Sequence, residues 1–444
     1  MGTLYKPLES TIQDLKVTIH ETSIVFPSEE TQKRHMFLSN IDQVLNFYVQ
    51  TLHFFNANPE FPPEIVTERL QIALSRVLVP YDFLAGRLKM NQESKRLEFD
   101  CNGAGALFLV ASSELTLEEI GDLVYPNPAF RQLIIQDNIH PLEKDDKPLC
   151  IIQVTSFKCG GLAIGFSVNH ITFDGISFKI FLQNLASQAF DDDKNNTKPL
   201  AIVPCNDRTL LAARTPPRVT FPHVELLKLE VPIPMGEELN PTVFETLEKE
   251  VDFKIFKLNS SDISSLKEKA KDENAPNTKI TSFNIVTSYV WRCKALSCDV
   301  ENNSERISTV LFAVDIRARL NPPLPRSYTG NAVLTSYAST TCHELEEGPF
   351  SKIVDRVSQG AMRMTDEYAR SAIDWGKWFS QVEFPWGKPK YSCPVVSHRK
   401  DIILLIPNID DGIGNNNDGV NIFVTLPPKQ MEKFESYFHK FLLA

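Results

Sequence analysis

His170 and Asp174, four residues apart in the run NHITFDG (169–175), are the residues whose types and spacing point most directly to chemistry. An imidazole that titrates near neutrality can take the proton of an alcohol while the alcohol oxygen attacks an activated carbonyl. Asp174 could orient the ring, as the acid of a triad does, or hold the turn by pairing with an arginine elsewhere. Its place just after a strand favours the structural role. The competing plain reading makes His170 a satisfied structural histidine. The chain contains no G-x-S-x-G run, so a serine nucleophile on a strand-to-helix elbow has no support of that kind.

The elements around the pair suit such a site. LCIIQVTSFKCGGLAIGFSVNH (149–170) reads as two strands joined around Lys158–Gly161, the second delivering His170 at its end. DGISFKIFLQNLASQAF (174–190) has helical apolar spacing, with Asp174 where a cap or first-turn acid belongs. A strand end at a lobe interface lets a side chain face a cleft while its backbone stays rigid. Residues 65–78 read as an amphipathic helix, followed by short strands in LAGRLKM and RLEFDC. In the second half, helices are predicted at SSDISSLKEKAKDE, at 281–297 and at 355–375. Residues 306–320 read as a strand, DIILLIPNI and VNIFVTLP as a closing pair of strands, and KQMEKFESYFHKFLLA as a final helix.

Between the halves lies 191–223, an acidic and amide-rich run followed by prolines at 199, 204, 216, 217 and 222. Such residues favour extended, solvated backbone. The predicted organisation is a mixed α/β (α+β) chain in two lobes, 1–190 and 224–444, joined by the 191–223 linker. The length, 444 residues, also exceeds what one core usually supports.

Composition narrows the function. A formal charge of −10 argues against a general nucleic-acid binder, which needs a basic surface. The 29 Phe suit an apolar cavity without proving one. The first residues lack the basic-then-apolar order of a secretory signal, and no apolar run approaches the roughly 20 residues that span a bilayer. Eight cysteines without a C-x-x-C pair read as inert thiols, and the remaining histidines show no metal-ligand spacing. The expectation is a cytoplasmic monomer with no metal, no membrane span and no nucleic-acid partner.

From end to end the chain resembles the plant BAHD acyl-CoA-dependent acyltransferases. The landmarks, in order, are LSNIDQ (38–43), FLAGRL (83–88), His170 with Asp174 and Gly175, and DRTLLAARTPP (207–217). VDIRARLNPPLPRSYTGNA (314–332) follows, and EFPWG (383–387) stands where the family has Asp-Phe-Gly-Trp-Gly. The resemblance implies two similar lobes of chloramphenicol-acetyltransferase-like fold, a crossover loop, and a channel between the lobes with the catalytic histidine at its centre. It implies His170 as general base, direct attack on the thioester with no acyl-enzyme, and Asp174 as support for the histidine loop. No cofactor is held permanently; acyl-CoA is a co-substrate and the acceptor a small hydroxylated molecule.

Further residues carry over by the same resemblance. Thr281 and Ser282 match the region flanking the pantetheine arm, although helix capping explains them equally well. Arg317 could meet CoA phosphates or pair with Glu383 or nearby acids. Arg370, Trp375 and Trp378 are channel candidates, the tryptophans as indole donors or as packing rings. Glu383, Trp386 and Gly387 belong to the structural motif, where Glu383 and Pro385 depart from the family Asp and Gly, and the segment before it is shorter than in most members. The linker wording and FKCGGLAIGFSVNH look closest to the branch that moves hydroxycinnamoyl groups to fatty alcohols or hydroxy acids, while other relatives acylate steroids. An amine acceptor, a small acyl donor and a catalytically degenerate ligand-binding protein stay open as alternatives.

Overall fold

The computed structural model describes residues 3–4, 12–121, 123, 127–135, 146–190, 199–226, 252–271, 280–298, 305–379, 403–407 and 419–443. The first half contributes strands β1 (Thr3–Leu4), β2 (Val17–Val25), β3 (Arg34–Met36), β4 (Tyr48–Phe55), β5 (Arg87–Met90), β6 (Leu97–Cys101), β7 (Ala106–Ser113), β8 (Cys150–Phe157) and β9 (Leu162–Asn169). Its helices are α1 (Asn40–Gln43), α2 (Pro63–Val77), α3 (Leu117–Ile120) and α4 (Gly175–Ala189).

Five of these strands form a sheet in the order β2-β7-β8-β9-β4, antiparallel except for the parallel pair β7–β8. Every residue of β9 is buried and nearly every residue of β8. A strand covered on both faces is selected for continuous apolar character, which is why 149–170 shows long apolar runs instead of alternation. Leu74 and Val77 of α2 and Phe181 and Leu185 of α4 share one core with Phe108, Ile152, Val154 and Phe166 of the sheet. On the other face, the turn Pro128–Leu133 comes so close that a Cβ at Gly165 would sit 2.4 Å from the Leu133 carbonyl oxygen. A second, smaller sheet runs β3-β6-β5.

The second half contributes β10 (Asp252–Leu258), β11 (Ile307–Asp315), β12 (Val333–Thr341), β13 (Ile403–Pro407) and β14 (Val420–Leu426). Its helices are α5 (Ser260–Lys269), α6 (Ser282–Ser297), α7 (Cys342–Glu347), α8 (Phe350–Arg363), α9 (Asp366–Phe379) and α10 (Pro428–Leu443). The order β1-β10-β14-β13 makes one sheet, and β11 pairs with β12. Thr3 and Leu4 therefore pair with the second half's β10. A separate core gathers Phe256, Tyr289, Val357, Ile422, Phe434 and Phe438.

Three expectations are corrected. The helix foreseen at 355–375 is two, α8 and α9, separated at Met364–Thr365, where ψ of Met364 turns to 68°. The strand foreseen at 306–320 ends at Asp315, because Arg319 and Leu320 donate backwards to the Ile316 carbonyl and close a turn. The linker, in its described part, is anchored instead of solvated: Arg208, Leu211 and His223 are buried. Arg214 donates to Asp374 and Glu367, the Thr220 amide to Ser371, and His223 Nε2 lies 2.8 Å from Ser371 Oγ. Glu367, Ser371 and Asp374 recur at i, i+4 and i+7, so one face of α9 receives the linker.

Candidate active site

His170 follows β9 directly. Its amide donates to the Phe47 carbonyl at 2.7 Å, extending the β4–β9 pairing by one step. The Asn169 side chain then turns the chain: its amide donates to Asn46 and its oxygen accepts from the Ile171 N–H, while its carbonyl accepts from the Thr172 hydroxyl. Asp174 caps α4 by accepting from the Ser177 amide at 2.9 Å. The strand delivers His170, and the helix start holds Asp174. The imidazole is half-buried and packs against the Phe47 ring, centroids 5.2 Å apart and planes at 53°.

Two buried arginine–aspartate pairs fix this turn. Arg317 binds both carboxylate oxygens of Asp174 at 2.9 Å, and the Ala332 amide adds a further donor at 3.0 Å. With the Ser177 amide, the described donors to Asp174 come from α4 and the second half; His170 is not among them. In the second pair, Arg208 lies 2.9 Å from Asp42 Oδ1, both side chains without solvent exposure. The same guanidinium donates to the carbonyls of Ile171 and Thr172 at 3.0 and 2.6 Å. Asn331 completes the group, donating from its side chain to the His170 carbonyl and to Asp42, both at 2.9 Å. Ser39 donates to Asp42 through its amide and hydroxyl. Carbonyls 170, 171 and 172 are thus all held by the linker or the second half.

Of the two readings given for Arg317, the structure fits pairing with nearby acids and not a place at a cofactor mouth: it is 5% exposed and engaged with Asp174, Asp315 and Ser177. Burial alone would pull the guanidinium down, but the two acids outweigh it and hold it above its ordinary value. Thr281 caps α6, accepting from the Asn284 amide at 3.1 Å, and Ser282 is exposed beside it. Arg370 donates to Asp366 one turn back and to the Asn321 carbonyl, so it braces a local turn, and none of these bonds reaches the His170 turn. Trp375 packs 6.0 Å from the His223 ring, beside Tyr368, which fits the packing role. Trp378 stands in the last turn of α9 with its side chain outside the described residues, as are Glu383, Trp386 and Gly387.

Reading the sequence missed Phe47, Asp42, Arg208 and Asn331. Three of them stand in stretches quoted above, LSNIDQ, DRTLLAA and TGNA, without a role attached. Among the described residues no group of His, Cys, Asp and Glu is arranged to hold a metal ion, and no helix is long and apolar enough to cross a membrane. Burial pushes the Cys101 and Cys150 thiols up to about 12, which keeps both protonated and unreactive.

Comparison with known proteins places the chain in a family. The model of the Transferase family matches residues 15–379 and 376–441. Acyltransferase GLAUCE of Arabidopsis thaliana is 54% identical over 464 residues, covering 99% of each chain. Omega-hydroxypalmitate O-feruloyl transferase of the same species is 32% identical, covering 96% of this chain and 93% of its own. Among solved structures, vinorine synthase superposes with a TM-score of 0.65 at 21% identity, covering 95% of this chain and 98% of its own, a likeness of fold. The chain is an acyl-transferring enzyme and belongs to the Transferase family, the BAHD acyltransferases.

Proposed function

We propose that this protein moves an acyl group from CoA to the hydroxyl of a small molecule, with His170 as general base. The observation that carries the reading is the His170 turn, whose three successive carbonyls are held by Asn331 and Arg208 while Asp174 is drawn to Arg317. A base held on rigid backbone can meet a reacting hydroxyl without reorganisation. The imidazole takes the acceptor proton as the oxygen attacks the thioester carbonyl. The C–S bond then breaks, and the proton passes from the imidazolium to the departing CoA sulfur. No acyl-enzyme is needed. Asp174 supports the turn.

Two lobes, 1–190 and 224–444, with 191–223 crossing between them, complete the reading. His170 comes from one lobe and its clamps from the linker and the other lobe, so a single chain suffices, which favours a monomer. The seven cysteines among the described residues are free thiols, which suits the reducing cytoplasm. The exposed start of α6, with Thr281 and Ser282, is the CoA-side candidate, because a helix N-terminus favours anions. The feruloyl-transferring relative supports a hydroxycinnamoyl donor and a long-chain hydroxy acid or alcohol as acceptor. Incubating the protein with feruloyl-CoA and 16-hydroxyhexadecanoic acid, with ester and free CoA read by chromatography, tests this. Stoichiometric ester and CoA are expected. CoA release without ester under every hydroxyl acceptor tried, or ester formation undiminished in His170→Ala, contradicts it.

A further inference from the structure

The His170 ring needs something to set its plane, and among the described residues the polar groups nearby do not supply it. Its Nδ1 is buried and has no hydrogen-bond partner among the described residues. Among the described residues, the donors that engage Asp174 are Ser177, Arg317 and Ala332, not His170. Asn331 and Arg208 grip backbone carbonyls, which fixes where the side chain starts but not how the ring is turned. The described ring contact is with Phe47, 5.2 Å away and tilted by 53°. Phe47 is held in turn. Its carbonyl takes the His170 amide, its neighbour Asn46 takes the Asn169 side chain, and its other neighbour Tyr48 pairs with Asn169 in the sheet and donates to the Pro148 carbonyl.

We propose that Phe47 is the positioning residue of the His170 base: its ring sets the imidazole plane where a triad would use a carboxylate. The proposal rests on His170 being that base. A tilted aromatic pair has a preferred geometry, because the electron-rich face of one ring attracts the positive edge of the other. The same face attracts a cation, so the contact strengthens when the imidazole takes the acceptor proton and becomes imidazolium. An interaction that grows toward the transition state raises kcat more than it lowers KM. Phe47 is half-buried and outside both main cores, so replacing it leaves the packing of the sheet in place.

The test compares Phe47→Leu, Phe47→Tyr and His170→Ala with the wild type, using feruloyl-CoA and 16-hydroxyhexadecanoic acid. Phe47→Leu is expected to lose about tenfold in kcat, the size of one aromatic pairing, with KM for feruloyl-CoA changed less than about threefold. Phe47→Tyr, which keeps the aromatic face, is expected to stay near wild type. A second readout needs no turnover: the His170 ring resonances in histidine-labelled protein, assigned by their loss in His170→Ala, should move in Phe47→Leu and return in Phe47→Tyr. Should Phe47→Leu fail to fold, Phe47→Met replaces it with a flexible side chain. Wild-type kcat in the aliphatic variant beside an inactive His170→Ala overturns the Phe47 role and leaves the base standing. Equal losses in the Leu and Tyr variants also overturn it, since volume would then matter and the ring face would not. Activity retained by His170→Ala removes the base reading and this proposal together.

Discussion

The two buried arginine–aspartate pairs do related work in different surroundings. Arg208 and Asp42 have no solvent exposure, and Arg208 also lies 5.1 Å from the ring centroids of both Phe83 and Phe99. Arg317 and Asp174 are nearly as deep, but Arg317 also reaches Asp315, whose side chain is 41% exposed. The first pair grips the carbonyls beside His170, and the second grips the cap of α4. A charge stranded in a dry pocket costs far more than one with a wet neighbour. The Arg208 pair therefore carries more of the stability of the turn, and the Arg317 pair has a partial escape to solvent.

Substitutions can break that ordering. Arg208→Ala leaves Asp42 buried without its counter-charge and should cost about 3–5 kcal/mol in chemical unfolding. Arg317→Ala should cost less, since both acids keep other donors but Asp174, unlike Asp42, retains some contact with solvent. A larger loss for Arg317→Ala reverses the comparison. Asn331→Ala removes the side-chain bonds to the His170 carbonyl and to Asp42 and should cost about 2–3 kcal/mol.

The linker latch on α9 gives a milder, pH-dependent contrast. Burial pushes the Glu225 carboxyl up, yet His223, its own amide and the Tyr368 hydroxyl outweigh burial and hold it below the usual range. A depressed carboxyl contributes stability above its unfolded pKa of about 4.3 and loses it as pH falls through the folded value. Glu225→Gln should therefore lower the urea midpoint at pH 7 and narrow the gap to wild type at acid pH. A gap that widens in acid contradicts the latch. The smallest effect belongs to Glu367→Gln: its carboxylate is solvent-facing, so no resolvable change in the unfolding midpoint is expected.

What was legible in the sequence was what repeats over short distances. The hairpin around Lys158–Gly161 is β8 and β9, and Asp174 stands one residue before α4, because pleat, period and cap are written within a few residues. Helices α2 and α6 fall within two residues of their expected starts. What lay hidden is pairing across distance. Asp174 and Arg317 are 143 positions apart, and nothing in the local pattern of either names the other. The same holds for Asp42 with Asn331, 289 apart. The linker misled for a related reason: its prolines announce extended backbone correctly, but the partners on α9 that bury it lie some 150 residues away.

In the proposed reaction His170 takes the acceptor proton while its clamps only hold it in place. Turnover of His170→Ala, at matched folded concentration, tests this most directly. A fall of about a hundredfold or more is expected, the usual worth of a general base, with the unfolding midpoint close to wild type. Retention of more than a few per cent of wild-type transfer contradicts it.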